Sequence, residues 1–392
     1  MMQGSVVIVG GGVMGAATAC FLARDHGMAV TVIERDPSYR RASSALSASS
    51  IRQQFSQPVN IQLSQWSLAF LRRVGDELAV ADQRPDIGLV EPGYLYLASA
   101  EGAAGEEALH SNHATQRAQG VDVALLAPAA LRQRFPWLHC DDLALGSLGL
   151  SGEGWFDGPA LMQAFRRKAM ACGARFVHAQ ALGFEVQGAR VLAVRCADGS
   201  VLAADQLVLA AGAWVDPLAA QLQVALPVAA KKRDVFVFDS PARLPGCPLV
   251  IDPSGFWFRP EGSSFLCGAP PRHGDPDEPA LDAIDLAQFE EQLWPALAHR
   301  VPGFEALRLR SAWAGYYEMN TVDHNGLAGA LPGWDNAFTA CGFSGHGMQQ
   351  APAVGCALAG LIAGRSTDTP SLQPLSPRRL LDGRPLLERN VI

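Results

Sequence analysis

The sequence predicts an α/β fold in which a unit with a mostly parallel sheet is interleaved with an α+β unit built on an antiparallel sheet. Three observations carry this expectation. A short apolar strand, a glycine-rich turn and an alanine-rich helix open the chain. The stretch 228–268 alternates in the manner of antiparallel strands, with turns at Pro253-Ser254-Gly255 and Glu261-Gly262. A strand, a second glycine-rich turn and an apolar helix then return near the C-terminus. At 392 residues the chain exceeds one typical core, and it shows neither internal repeat nor linker. The two units are therefore expected to exchange the chain several times. Residues 1–85, 150–225 and 325–385 are assigned to the first, and 86–149 and 226–324 to the second.

Composition narrows the function classes. With 49% hydrophobic and 18% charged residues, the chain reads as a compact globular protein with many turns. A net charge of -7 argues against nucleic acid, because phosphate contacts need clustered Lys and Arg. The short basic run Lys231-Lys232-Arg233 reads first as a solvated strand end and second as a pocket wall. The 8 cysteines form no C-x-x-C pair and no metal-ligand spacing, so reduced thiols in the cytoplasm and no metal are expected. The first strand starts at Ser5, which leaves no room for a signal peptide. No apolar run reaches the roughly 20 residues of a transmembrane segment.

Along the chain, Val6 to Val9 reads as a buried parallel strand and Val13 to His26 as a helix that Gly27 ends. Val30 to Ile33 is a second buried strand closing at Glu34. An amphipathic helix is expected from about Asn60 to Leu78, and a hairpin over 86–100. Helix, loop and turns fill the chain to Gly154. A helix over Pro159 to Cys172 precedes strands at Ala174–His178, Arg190–Cys196, Val201–Ala203 and Gln206–Leu209. Beyond the antiparallel stretch come a helix from Leu286 to Trp294, a strand from Ala337 to Ala340, and a last helix from about Ala351 to Ala363.

The motif Gly10-Gly11-Gly12-Val13-Met14-Gly15 joins the first strand to the first helix. Glycines there allow the tight turn, close approach of backbone to a pyrophosphate, and tight helix–strand packing. The helix start offers free N–H groups and partial positive charge to the phosphates. Glu34, about 20 residues past the last glycine, stands where a carboxylate accepts ribose hydroxyls. This motif alone does not separate FAD from NAD. The strand ending Ala210-Ala211-Gly212-Ala213-Trp214 and the run Gly342-Phe343-Ser344-Gly345-His346-Gly347-Met348 favour the flavin. A long flavin dinucleotide needs a last helix that returns to it, whereas a nicotinamide does not.

These stretches, together with Ser50-Ile51-Arg52-Gln53-Gln54-Phe55-Ser56, Gly154-Trp155-Phe156-Asp157 and Trp313-Ala314-Gly315-Tyr316-Tyr317, resemble the D-amino acid oxidase/sarcosine oxidase (glycine oxidase-type) family. The Ser50–Ser56 stretch narrows the resemblance to a subgroup linked to assembly of mitochondrial complex I. The resemblance implies a Rossmann-like FAD-binding domain and an α+β substrate domain. It places Gly10, Gly12, Val13, Met14 and Gly15 at the pyrophosphate, Glu34 on the ribose and Arg35 beside the adenine. Ser43, Ser44 and Ser50 would line the ribityl stretch, with Arg52 beyond them, and Leu182 would meet the adenine through its backbone. Ala211, Gly212 and Trp214 would close over the dinucleotide. Gly342, Ser344, Gly345, His346, Gly347 and Met348 would lie against the flavin ring. Arg52, Tyr316, Tyr317, Arg259 and His346 are the candidates for substrate, with Arg suited to a bidentate carboxylate and His346 to a proton. Arg259 alternatively makes a salt bridge at its strand end.

Two departures from the sarcosine oxidase-like pattern shape the expected mechanism. The strand Phe265-Leu266-Cys267-Gly268 lacks the lysine that prepares oxygen, and Gln349 replaces a carboxylate-binding lysine. No cysteine lies near Tyr316, so noncovalent FAD is expected. The implied activity is oxidation of the C–N bond of a small carboxylate-bearing amine to an imine. Electrons would pass to a quinone or carrier protein rather than to oxygen. Oxidation of a 2-hydroxy acid, and a flavin-binding respiratory-complex assembly factor, stand as the alternatives.

Overall fold

The computed structural model describes residues 4–390. Two large sheets organise it. The first has six strands in the order Leu327–Ala330, Ala337–Cys341, Gln206–Leu209, Val6–Val9, Val30–Glu34 and Arg175–His178. All pair in parallel except Leu327–Ala330, which runs antiparallel at one edge. Buried on both faces, the inner strands are continuous apolar runs, as parallel sheets require. Helix Val13–His26 follows the first strand and ends on Gly27 in the left-handed region at φ 61.

That first helix is the hub of the core. The C-terminal helix Gly347–Ala363 lies against it so closely that a Cβ on Gly355 would come within 2.7 Å of Ala17 Cβ. Helix Gly158–Ala171 covers its other side, and Phe21, Phe70 and Phe165 pack there with ring centroids 5.5 to 5.9 Å apart. Each buried ring contributes about 2 kcal/mol by area alone. Helix Gly347–Ala363 starts four residues earlier than the sequence reading placed it, and Pro352 does not interrupt it.

The second sheet has eight strands. Its order is Arg308–Asn320, Val228–Asp239, Ser264–Gly268, Trp257–Glu261, Leu249–Ile251, Tyr94–Ser99, Leu143–Gly149 and Val123–Leu126. Three of these strands were not anticipated: Val123–Leu126, Leu143–Gly149 and Arg308–Asn320. The hairpin expected over 86–100 is replaced by the single strand Tyr94–Ser99, which pairs with Leu143–Gly149 and Leu249–Ile251. Gly93 is the reason. At φ 104 its absent Cβ would meet Gly149 O at 2.5 Å, so it serves a close approach between distant segments, not a local turn. The helix expected over 60–78 divides into Pro58–Leu71 and Val74–Glu77.

Lys231-Lys232-Arg233 lies within Val228–Asp239, paired to Tyr317, Tyr316 and Gly315, rather than at a solvated strand end. Lys231 and Lys232 reach the carbonyls of Asp275 and Ala283, and Arg233 holds the Asp275 carboxylate through two bonds of 2.9 Å. The basic run thereby fastens the 275–283 loop to the sheet. A small three-stranded sheet, Ala181–Gln187, Arg190–Cys196 and Val201–Ala203, flanks the parallel sheet. All 8 cysteines are free thiols. Among the described residues, no helix is long and apolar enough to cross a membrane.

Candidate active site

A cavity of 490 Å³ runs between the two sheets. One end is formed by the first glycine turn, Glu34 and Arg35, and the other by Arg52, Arg259 and Tyr317. Residues from both termini of the chain line it.

At the dinucleotide end, the turn and helix start present backbone to the cavity. Gly10 sits at φ 105, and a Cβ there would strike Ala210 O at 2.2 Å, so only glycine makes this turn. Gly15 plays a packing part: its Cβ would lie 1.9 Å from Gly10 O. Gly12 differs from both. Its φ of -62 suits any residue, and a Cβ would meet only the Ser44 hydroxyl, at 3.2 Å. The first turn of the helix carries no acidic residue, and Val13 donates its N–H to Ser44 Oγ at 2.9 Å. A helix start lined by glycine and hydroxyl, with its dipole aimed at the cavity, fits a pyrophosphate. Glu34 stands at the strand end with its carboxylate fixed by the N–H groups of Gly11 and Asp36, at 2.8 and 2.9 Å. Arg35 stacks over Trp214 at 3.9 Å. Ser43, Ser50, Leu182, Ala211, Gly212 and Met14 also line the cavity.

At the other end, Arg52, Arg233 and Arg259 converge with Tyr94 and Tyr317. Arg259 does make the salt bridge at its strand end, to Glu261, and also donates to Ala48 O at 2.8 Å. Arg233 is held by Asp275 and lies over the Tyr317 ring at 5.3 Å. Arg52 has no carboxylate partner among the described residues. Its guanidinium rests on the Phe55 ring at 3.9 Å and donates to the carbonyls of Gln54 and Asn390. Tyr316 faces the other way, donating its hydroxyl to Pro279 O at 2.6 Å against Trp214. Ser344, Gly345, Gly347 and Met348 border the cavity between the two ends.

Three expected residues do not line the cavity: Gly15, Gly342 and His346. The first two shape turns, Gly342 at φ 70. His346 is the larger correction. As the residue before helix Gly347–Ala363, it turns its ring away from the cavity onto Phe55 and Phe343, at 5.3 and 6.4 Å. Among the described residues neither ring nitrogen has a polar partner, and burial plus the Arg52 charge holds its pKa well below 6.5. A buried neutral imidazole loses stability in acid, because the unfolded chain takes up a proton that the folded one refuses. Below pH 6.5 this costs up to about 1.4 kcal/mol per pH unit while the ring stays neutral. His346→Leu is therefore expected to flatten the fall in unfolding free energy between about pH 6.5 and 5, read from denaturant midpoints. An unchanged slope would place the ring elsewhere.

A model of the FAD dependent oxidoreductase (DAO) family matches residues 5–361. The chain belongs to that family. FAD-dependent oxidoreductase domain-containing protein 1 of Xenopus laevis is 40% identical, over 100% of this chain and 85% of its own. The crystal structure of glycine oxidase from Geobacillus kaustophilus is 25% identical, with a TM-score of 0.79 over 95% of this chain and 98% of that one. L-proline dehydrogenase from P. horikoshii shares the fold at a TM-score of 0.84 and 24% identity, over 98% and 99% of the two chains. The protein is thus an FAD-dependent oxidoreductase, and the dinucleotide end of the cavity fits its cofactor.

Two acids of this oxidoreductase site were not foreseen. Glu153, fully buried, accepts the N–H groups of Gln53 and Gln54 at 2.6 and 3.0 Å and the Gln54 amide at 2.8 Å. It fixes the turn that carries Arg52. A lone acid between Gly152 and Gly154 was its one sequence signal. Glu318 follows Tyr317 in strand Arg308–Asn320 and lines the cavity; an acid inside a half-buried strand was the corresponding sign. Away from the cavity, His139, Asp142 and His299 come together, but both Asp142 oxygens accept from Arg300 at 2.8 Å. That group reads as an ion-pair network.

Proposed function

We propose that the protein oxidises the C–N bond of a small amine bearing a carboxylate, giving an imine that water hydrolyses. The observation that carries this reading is Arg52, an arginine at the cavity wall with no carboxylate partner among the described residues. Of its five N–H donors, two are taken by carbonyls, which leaves donors for a bound anion. Burial against Phe55 strengthens that attraction, since little water competes there. Gln349 Oε1 accepts the Arg52 backbone N–H at 2.8 Å, so this glutamine supports the arginine's backbone. Tyr317 and Tyr94 supply walls that orient the substrate and exclude water.

Bound FAD supplies the acceptor for the hydride equivalent from the carbon beside nitrogen. No histidine or lysine lines the cavity among the described residues, so the amine is read as entering uncharged. The missing lysine also supports a dehydrogenase with a quinone or carrier protein as electron acceptor. The absence of cysteine from the lining supports noncovalent FAD. The free thiols suit a reducing compartment such as the cytoplasm. We read the six-stranded sheet as the FAD-binding unit and the eight-stranded sheet as the substrate unit, a division the two separate sheets support.

Anaerobic addition of a panel of amino acids and N-methyl amines, each beside its 2-hydroxy acid counterpart, tests the reading by flavin absorbance. The expected result is bleaching by one amine and not by its hydroxy analogue. Bleaching by none of the amines sinks it.

A further inference from the structure

Glu318 is a half-buried acid on the cavity wall to which the reaction proposed above gives no part. Its side chain lies where the glycine turn after strand Gln206–Leu209 meets the one that opens helix Gly347–Ala363. Oε2 is 3.5 Å from the place a Cβ on Gly212 would take, and Oε1 is 3.2 Å from that on Gly347. Phe343 donates its N–H to Oε1 at 3.4 Å, and the Glu318 carbonyl accepts from Ser344 at 3.1 Å. A side chain on Gly347 would crowd the carboxyl group, and one on Gly212 would stand in contact with it. It therefore occupies the stretch of cavity between the dinucleotide end and the arginine end, beside the start of helix Gly347–Ala363.

Among the described residues Glu318 makes no salt bridge. On the paired strand Val228–Asp239, Lys231 and Lys232 are engaged by Asp277 and Asp234 instead. The titratable neighbour on the packed strand Ala337–Cys341 is the Cys341 thiol, which burial keeps protonated. On its own strand the adjoining titratable groups are Tyr316 and Tyr317, neither of them positive. The surface that Glu318 retains faces the cavity. Burial pushes its carboxyl up to about 7, against the pull of the backbone N–H groups at Phe343 and Gly342. A carboxyl of this kind inside a cleft, held by geometry and lacking an ion-pair partner, is suited to exchange a proton.

We propose that the Glu318 carboxyl group contacts the bound flavin cofactor and takes up one proton each time the cofactor is reduced. Two electrons and one proton delivered to the flavin leave a negative charge on it. Glu318, ionised beforehand, answers that charge by binding a second proton from solvent. The overall uptake is two protons per electron pair, with no other reactant. Below the pH at which Glu318 is already protonated in the oxidised protein, the uptake returns to one. The sign follows. At alkaline pH the ionised carboxylate disfavours reduction and lowers the midpoint potential; in acid it has no such effect. The inference rests on FAD dependence alone, so it stands or falls separately from the amine substrate.

The test is a spectroelectrochemical titration of the FAD-loaded protein across about pH 5.5 to 8.5, either side of the carboxyl's titration. Wild type is expected to show the slope of one proton per electron pair in acid and of two toward alkaline pH. Glu318→Gln is expected to lose the steeper limb and to have the higher potential at the alkaline end, the two proteins converging in acid. If Glu318→Gln does not retain flavin, Glu318→Asp is titrated instead, and the pH at which the slope changes must then move. Coincident curves for wild type and variant overturn the proposal. Wild-type protein that takes up no FAD at all would overturn the cofactor assignment instead, which separates the two failures.

Discussion

Gly12→Val is expected to yield a folded protein that comes out colourless. The first glycine turn holds three kinds of constraint, and only one of them concerns the ligand. Gly10 needs its left-handed φ of 105, and Gly15 has a backbone carbonyl 1.9 Å from where a Cβ would sit, so both serve the turn itself. Gly12 has an ordinary φ and only the Ser44 hydroxyl near its missing side chain. The protein tolerates a side chain there; a pyrophosphate against the helix start does not. Loss of that approach removes the N–H groups and helix dipole from the phosphates, and the FAD dissociation constant is expected to rise about 1,000-fold, or roughly 4 kcal/mol. The check is flavin absorbance after gel filtration together with the melting temperature. Retained colour in a stable Gly12→Val protein would remove the dinucleotide from this helix start. The matched change Gly15→Val is expected to fail by unfolding.

That contrast also shows what the sequence made legible. Glycines at fixed offsets, a buried strand on either side and an acid at Glu34 are local signals, and the structure realises them within a residue. Pairing over long distances is another matter. Tyr94–Ser99 shows strand character in its own residues, but nothing within them names Leu143–Gly149 or Leu249–Ile251 as partners. The strand Arg308–Asn320 was read only as a motif, because Gly315 and the paired Tyr316 and Tyr317 interrupt its apolar pattern. Side-chain direction was the deepest gap. Of the run from Gly342 to Met348, Ser344, Gly345, Gly347 and Met348 border the cavity. Which way His346 points depends on one residue of helix phase, and the ring turns to Phe55 instead. The same geometry gives Glu318 a place at the cavity that no motif announced.

Arg52→Lys is expected to cut affinity for an anionic substrate about 100-fold, or roughly 2.7 kcal/mol, while the flavin stays bound. The guanidinium is built into the wall from behind. Gln54 O and Asn390 O take one N–H each, Phe55 supports its face, and Glu153 locks the backbone of the two residues that follow. The ammonium of a lysine reaches neither both carbonyls nor a carboxylate in two-point contact. Asn390 stays in place because Glu388, fully buried, accepts from Ser56, Gln57 and Asn60 at 2.9, 3.2 and 2.9 Å and from Asn390 itself at 3.0 Å. Residues 388–390 thus hold the arginine through a carboxylate that also ties down Ser56 and Gln57, just ahead of helix Pro58–Leu71. Glu388→Gln, which touches neither cavity nor flavin, is expected to weaken substrate binding in the same direction as Arg52→Lys but by about tenfold. Half-bleaching concentrations of the substrate found in the amine panel measure both variants against wild type. Equal concentrations for Arg52→Lys and wild type would mean that the anion binds elsewhere. A loss in Arg52→Lys without one in Glu388→Gln would mean that the arginine holds its own position unaided.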